Sequence, residues 1–183
     1  MRIIAGTHRG RPIVTPKGDS TRPTADRVRE ALFSMLASRL GDFEGLRVLD
    51  LFAGSGALGL EALSRGAAHC TFVEQDKPAI DALKTNIAKL GLAGTEVRAT
   101  SVLALGPASQ PYDLILIDPP YKSGAGAVAL DKLHRLGWFA PTAWISMETA
   151  FNEDFEAAGF TIDTARNHGK AKITLLRPDP VSG

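Results

Sequence analysis

Asp50-Leu51-Phe52-Ala53-Gly54-Ser55-Gly56-Ala57-Leu58-Gly59 closes an apolar run that begins at Leu46, and its reading decides the fold. Gly54, Gly56 and Gly59 satisfy G-x-G-x-x-G, and Glu74 follows 20 residues after Gly54. A buried strand, a glycine turn, a helix and an acid at the tip of the next strand make a nucleotide-binding βαβ unit. Outward from this unit the alternation continues. Strands are predicted over 46–51, 70–74, 95–100, 113–117 and 142–147, with helices over 57–64, 78–90 and 128–136. Apolar strands spaced by helices indicate a parallel sheet covered on both faces. Two further strands, 160–165 and 172–176, joined by a short basic loop, predict an antiparallel pair that closes the sheet.

Charge distinguishes two cofactors that share this glycine turn. NAD places a pyrophosphate over it, where backbone N–H groups are wanted and a carboxylate is not. Asp50 lies four residues before Gly54 and would repel that group. S-adenosylmethionine brings a sulfonium and an ammonium there instead, for which a nearby carboxylate is favourable. Glu74 is then placed to take ribose hydroxyls.

The run from Tyr112 to Ile117 ends in Asp118-Pro119-Pro120-Tyr121. Asp and Pro are ordinary strand-ending residues. In an open α/β sheet, however, ligands bind beyond the carboxyl ends of the strands near the point where strand order reverses. If the first and fourth strands are neighbours there, this segment faces the glycine turn. An exocyclic amino group on a base is a poor nucleophile because its lone pair is delocalised into the ring. Asp118 can accept one N–H and the Pro119 carbonyl the other, the prolines holding both acceptors rigid, while Tyr121 stacks on a flipped or single-stranded base.

The formal net charge is +1, yet residues 1–18 carry Arg2, Arg9, Arg11 and Lys17 and no acid, leaving −3 for the rest. Residues 2–5 and 11–14 predict a hairpin with a basic, glycine-flexible tip, and 15–23 a linker. Thr24 is a plausible N-cap for a helix that buries Val28, Leu32, Met35 and Leu36 and stops at Gly41. Arg22, Arg27 and Arg29 are expected on its surface, as plain charge or as a continuation of the basic face. Cys70 is the one cysteine, which excludes an intrachain disulfide and suits a reducing compartment. No uncharged run approaches the roughly 20 residues of a membrane span. His8, His69, His134 and His168 lack metal-ligand spacing and are expected at the surface or in packing. A soluble, cytoplasmic monomer that uses no metal is expected.

Asp-Pro-Pro-Tyr following Asp-x-Phe-x-Gly-x-Gly is similar to the methyltransferases that act on adenine N6, cytosine N4 or guanine N2. The N-terminal Arg2-Ile3-Ile4-Ala5-Gly6, Arg9-Gly10-Arg11, Thr21-Arg22-Pro23-Thr24 and Arg27-Val28-Arg29-Glu30-Ala31-Leu32-Phe33 narrow this. With them the chain resembles the bacterial 16S ribosomal RNA guanine-N2 methyltransferases of the RsmD type. The resemblance implies a Rossmann-like class I methyltransferase fold, S-adenosylmethionine as donor and a guanine of the small ribosomal subunit as acceptor, in an assembled or assembling 30S particle. It implies a seven-stranded, mostly parallel sheet with an antiparallel terminal strand, preceded by a small β-hairpin and helix. Residues 1–183 are expected to be one methyltransferase domain, with 1–23 as arm and linker and 24–183 as helix plus catalytic sheet.

Position by position, the resemblance places catalysis on Asp118, Pro119, Pro120 and Tyr121. Cofactor contacts fall on Asp50, Phe52, Ala53, Gly54, Gly56, Glu74, Gln75, Ser101 and Asp118. RNA contacts are expected from Arg2, His8, Arg9, Arg11, Lys17, Arg22 and Lys170. The third-strand tip departs from the family pattern: relatives resemble Asp-Ala where this chain reads Thr100-Ser101-Val102. Ser101 is expected to substitute through its hydroxyl or backbone. The competing functions are a DNA or RNA adenine-N6 or cytosine-N4 methyltransferase, which would share both motifs, a non-catalytic RNA-binding module that keeps the fold, and an NAD-dependent oxidoreductase.

Overall fold

A computed structural model describes residues 1–16 and 22–180, without the side chains of 22–24. Lys17 and the side chains of Arg22 and Thr24 therefore lie outside the described residues. Helix α1 (Arg22–Leu40) leads into β1 (Arg47–Leu51), α2 (Ala57–Ser64), β2 (His69–Glu74), α3 (Lys77–Leu90) and β3 (Thr95–Ala99). A single 3₁₀ turn (Val102–Ala104), β4 (Tyr112–Ile117), α4 (Ala125–Arg135), β5 (Phe139–Ala150), β6 (Phe160–His168) and β7 (Ala171–Pro178) complete the chain. The seven strands form one sheet in the order β3-β2-β1-β4-β5-β7-β6. Only β7, the last strand in the chain, runs against the others.

The central strands are buried on both faces, which is why they read as continuous apolar runs. Along β1 and β4, Val48, Leu114 and Leu116 join one core with Leu32, Leu36, Leu60 and Phe72. Leu49, Leu51, Ile115 and Ile117 join the other with Leu130, Leu133 and Trp138. Each such side chain, removed fully from water, contributes about 1.5–3 kcal/mol. Val28, Leu32, Met35 and Leu36 are buried on one face of α1 as their spacing requires, and Gly41, at φ +81°, ends the helix.

Three expectations need correction. Strand β5 is longer than 142–147, because β4 pairs along one edge and β7 along the other through Ala150. The N-terminal hairpin is no regular ladder. It has one bridge, Arg2 with Pro12, and three hydrogen bonds from Ile3 N to Arg11 O, Gly10 N to Ile3 O and Ile13 N to Met1 O. Pro12 has no N–H with which to extend it. Arg29 is not on the surface. It is 3% exposed, bonded to Asp26, Glu61 and the Arg2 carbonyl.

Glu61, fully buried on α2, explains how the arm is held. Its Oε1 accepts Ile4 N at 2.9 Å, its Oε2 accepts Ala5 N at 3.1 Å, and both oxygens meet guanidinium groups, of Arg29 and Arg65. Ile3 and Ile13 add buried apolar area. Asn86 on α3 completes the attachment, exchanging hydrogen bonds with both backbone groups of Val14. Among the described residues no helix is long and apolar enough to cross a membrane.

Candidate active site

The order β2-β1-β4 brings the tips of β1 and β4 side by side, with Leu51 opposite Ile117, so the glycine turn and Asp118-Pro119-Pro120-Tyr121 meet. Ala53 N donates to Val73 O at 3.0 Å, folding the turn back over β2. Phe52 takes φ +59°, a conformation that side chains rarely adopt and that clusters at functional sites. At Gly54, also at positive φ, no atom lies within 4 Å of where a Cβ would stand, so the backbone there is open to a ligand. Gly59 is constrained by packing instead: a Cβ would meet Phe72 at 2.4 Å and Cys70 Sγ at 2.6 Å.

Two carboxylates organise the turn. Asp50 Oδ2 accepts the Gly59 N–H at 2.9 Å in a nearly solvent-free position. Burial pushes its carboxyl up to about 8; the Gly59 bond opposes this and the charge of Glu74 adds to it. Glu74 Oε1 accepts Gly54 N at 2.8 Å, while Oε2 accepts Gln75 N and Asp76 N. The acid at the β2 tip thus fixes the glycine turn.

A cleft of about 340 Å³ lies between Phe52, Glu74, Gln75, Thr100, Val102 and Pro119. A second, about 310 Å³, lies between Asp50, Phe52, Ala53, Gly54 and Pro16. Phe52 and Asp118 border both. This suits an elongated molecule with a nucleoside at one end, where Glu74 meets a diol, and a cationic amino acid at the other, where Asp50 lies. The site therefore fits S-adenosylmethionine. Gly56, at φ +90°, packs under the turn against Leu83 rather than lining either cleft. Ser101 Oγ caps the 3₁₀ turn by accepting Leu103 N at 3.2 Å, and its neighbours Thr100 and Val102 form the cleft wall.

On the far side of Asp118 opens a larger cavity of about 690 Å³, lined by Met1, Val28, Leu58, Tyr121, Glu148 and Lys170 among others. Met147 of β5 is in register with Ile117, so Glu148 comes beside Asp118. The two carboxyls are close enough to influence each other's proton affinity, and Tyr121 Oη donates to Glu148 Oε2 at 3.1 Å. Burial and the charges of Glu148 and Asp50 hold the Asp118 carboxyl well above the usual carboxylate range. Glu148 is also raised by burial, but the hydrogen bonds from Tyr121 and Asp118 pull the other way. Of the two carboxyls, Asp118 is the more strongly raised. Burial and Glu148 also push the Tyr121 hydroxyl upward, so it remains a donor. The Tyr121 ring is 51% exposed at the cavity mouth. Beyond it, Lys122, at φ +57°, donates its N–H to Glu153.

The structure disperses the expected RNA contacts. Arg2 donates to Gly10 O, Arg11 to Lys89 O, and the His8 ring pairs with Leu90 O, so all three help to hold the arm. Arg9 is exposed at the tip of the arm. Lys170 is exposed in the β6–β7 turn on the rim of the large cavity. Of the other histidines, His69 bonds Thr71 and His134 packs on Phe160 with ring centres 4.7 Å apart. His168 lies in the cavity wall with Nε2 enclosed and unpartnered. Among the described residues no three His, Cys, Asp or Glu side chains are grouped to hold a metal ion.

Sequence reasoning missed Glu148. Its one signal is an acid at the end of a predicted strand, where Asp50, Glu74 and Asp118 also fall within a residue of the strand's last position.

The family described as Conserved hypothetical protein 95 matches residues 1–177. The chain is 40% identical over 150 residues to Ribosomal RNA small subunit methyltransferase D of Escherichia coli (strain K12), covering 81% of this chain and 74% of that protein. The protein of the same name from Haemophilus influenzae is 38% identical over 154 residues, covering 81% and 78%. Among solved structures, "Putative methyltransferase yhhF from Escherichia coli" superposes with a TM-score of 0.84 at 33% identity, covering 98% of both chains. The fold alone is shared with a magnesium protoporphyrin IX methyltransferase from Synechocystis solved with bound SAM, at 16% identity, a TM-score of 0.68 and coverage of 86% of this chain and 81% of that one.

Proposed function

The chain belongs to the Conserved hypothetical protein 95 family, the RsmD family of methyltransferases, and from that premise we propose that it methylates the exocyclic N2 of a guanine in small-subunit (16S) ribosomal RNA, within an assembled or assembling 30S particle. It is an S-adenosylmethionine-dependent enzyme. Residues 1–183 act as one catalytic unit and as a monomer.

One observation carries the reading: Asp118 borders both cofactor clefts and the large cavity, so a single carboxyl stands between donor and acceptor. When bound, S-adenosylmethionine supplies an electrophilic methyl on a cationic sulfur. Asp50, Phe52, Ala53, Gly54, Glu74 and Gln75 would hold it, Asp50 by charge, Glu74 at the ribose and Gly54 by close backbone approach, while Gly56 and Ser101 would act from behind by shaping the turns that carry these residues. The base enters the larger cavity, where Tyr121 stacks on it for about 1–3 kcal/mol. An Asp118 oxygen and the Pro119 carbonyl accept the two amino N–H groups and turn the nitrogen lone pair toward the methyl. Arg9 and Lys170, with Arg2, His8, Arg11, Lys17 and Arg22, supply the phosphate-facing surface.

The test is to incubate the protein and labelled S-adenosylmethionine with small ribosomal subunits, naked 16S RNA and duplex DNA, and to map the product by mass spectrometry. N2-methylguanosine at one position, with subunits labelled best, is the expected result. Label confined to DNA, or found on adenine or cytosine, would overturn it.

A further inference from the structure

We propose that Glu148 is the terminal proton acceptor of the reaction, drawing the proton released by the acceptor nitrogen through Asp118. The proposal rests on the reading of Asp118 as the residue that meets the base amino group. Methylation replaces one of the two amino N–H bonds by N–C, and the displaced proton must leave the closed site. Asp118 stands at the reacting centre, and the strand register sets Glu148 beside it in the same cavity, held by the Tyr121 hydroxyl and placed to take that proton onward.

The hydrogen bonds provide a route. In this relay Asp118 begins protonated with its hydroxyl turned to Glu148, whose Oε2 also accepts from the Tyr121 hydroxyl at 3.1 Å. As the methyl arrives and nitrogen gains positive charge, the N–H proton passes to the free Asp118 oxygen and the Asp118 hydroxyl proton passes to Glu148. The base ends neutral with one N–H, Asp118 ends as it began, and Glu148 ends neutral. One negative charge on the protein has been cancelled by the one positive charge that the cationic sulfur brought. No other base is required.

The charged and titratable groups around the pair are consistent with this division. Asp118 feels Asp50 from β1, and Tyr121 feels Glu153 from beyond β5. Arg29 from α1 and His168 and Lys170 from the β6–β7 end line the same cavity, but Arg29 is engaged with Asp26 and Glu61. Lys172, on the adjoining β7, is paired with Asp154. Glu148 is the acidic neighbour that the strand register sets beside Asp118 and that bonds Tyr121.

The deciding variants are Glu148→Gln, which accepts the Tyr121 bond but takes no proton, and Tyr121→Phe, which removes that bond. Glu148→Gln should lower kcat at least about a hundredfold, the scale of a lost acid–base group. RNA KM and cofactor Kd should be unchanged, and the low-pH limb of kcat should disappear. Tyr121→Phe should move that limb to higher pH. Carboxyl ¹³C NMR of the cofactor-free protein gives an independent reading: Glu148 should titrate together with Asp118, at higher pH in Tyr121→Phe. A Glu148→Gln enzyme within about twofold of normal kcat, a loss confined to KM, or independent titration of Glu148 would each overturn the proposal. If the wild type methylates no base amino group, the underlying reading fails instead.

Discussion

The buried carboxylate of Asp50 holds the backbone N–H of Gly59 at 2.9 Å, tying the end of β1 to the first turn of α2. With its carboxyl pushed up to about 8, Asp50 is largely protonated in the ligand-free protein at neutral pH. A folded-state value raised above the unfolded one contributes stability that is fully present below about pH 4 and lost as pH rises through about 8. A cationic ligand prefers the ionised form. S-adenosylmethionine should therefore bind more tightly as pH rises toward 8, by up to about tenfold per unit, and level off above it. Calorimetry in buffers of different ionisation enthalpy should show proton release on binding, and Asp50→Asn should abolish it. A flat affinity from pH 6 to 9 would refute this.

Glu61 joins the arm to the catalytic sheet. Replacing it by Ala leaves the 3%-exposed Arg29 without its interior carboxylate and strips acceptors from Ile4 N and Ala5 N. Removing one partner of a buried pair costs about 3–5 kcal/mol. Chemical denaturation should show a loss of that order, and hydrogen exchange should show faster exchange at Ile4 and Ala5. Retained protection of both amides would mean that apolar packing of Ile3 and Ile13 holds the arm.

Asp118 and Arg9 should fail in different ways. Asp118→Ala removes a group from the reacting centre and should lower kcat about 10²–10⁴-fold. Arg9→Ala should leave kcat in place, raise the KM for RNA and flatten its salt dependence. Arg11→Ala should weaken RNA binding too, but it also removes the bond to Lys89 O. Steady-state kinetics across a salt series separates these cases. An equal loss of cofactor affinity in the Asp118 and arginine variants would contradict the division.

Gly59→Ala places a methyl 2.4 Å from the Phe72 ring and 2.6 Å from Cys70 Sγ. Overpacking of this kind costs about 1–3 kcal/mol. Because Gly59 also donates to Asp50, cofactor binding should weaken with stability, which thermal unfolding with and without S-adenosylmethionine measures. Unchanged melting would show that α2 can shift outward freely.

Much of the fold was legible because it is written in local patterns. Helix α2 begins and ends where its apolar spacing and glycines place it, and the mostly parallel sheet follows from strands apolar on both faces. The acids at the tips of β1, β2 and β4 were legible as well, since strand ends are marked by the turn residues that follow. Less legible were residues whose roles depend on distant partners. Arg29 looks like surface charge until α2 brings Glu61 beneath it, and Arg11 looks free until α3 offers Lys89 O.

The sequence by itself determined the α/β class and put Asp118-Pro119-Pro120-Tyr121 at a strand end, the segment proposed here as the site. The tertiary structure decided what surrounds Asp118. Glu148 lies 30 residues further along the chain, and only the β4–β5 register, Ile117 against Met147, sets the two carboxyls side by side. Proton affinity depends on burial and on the nearest charge, neither of which is a local property of the chain.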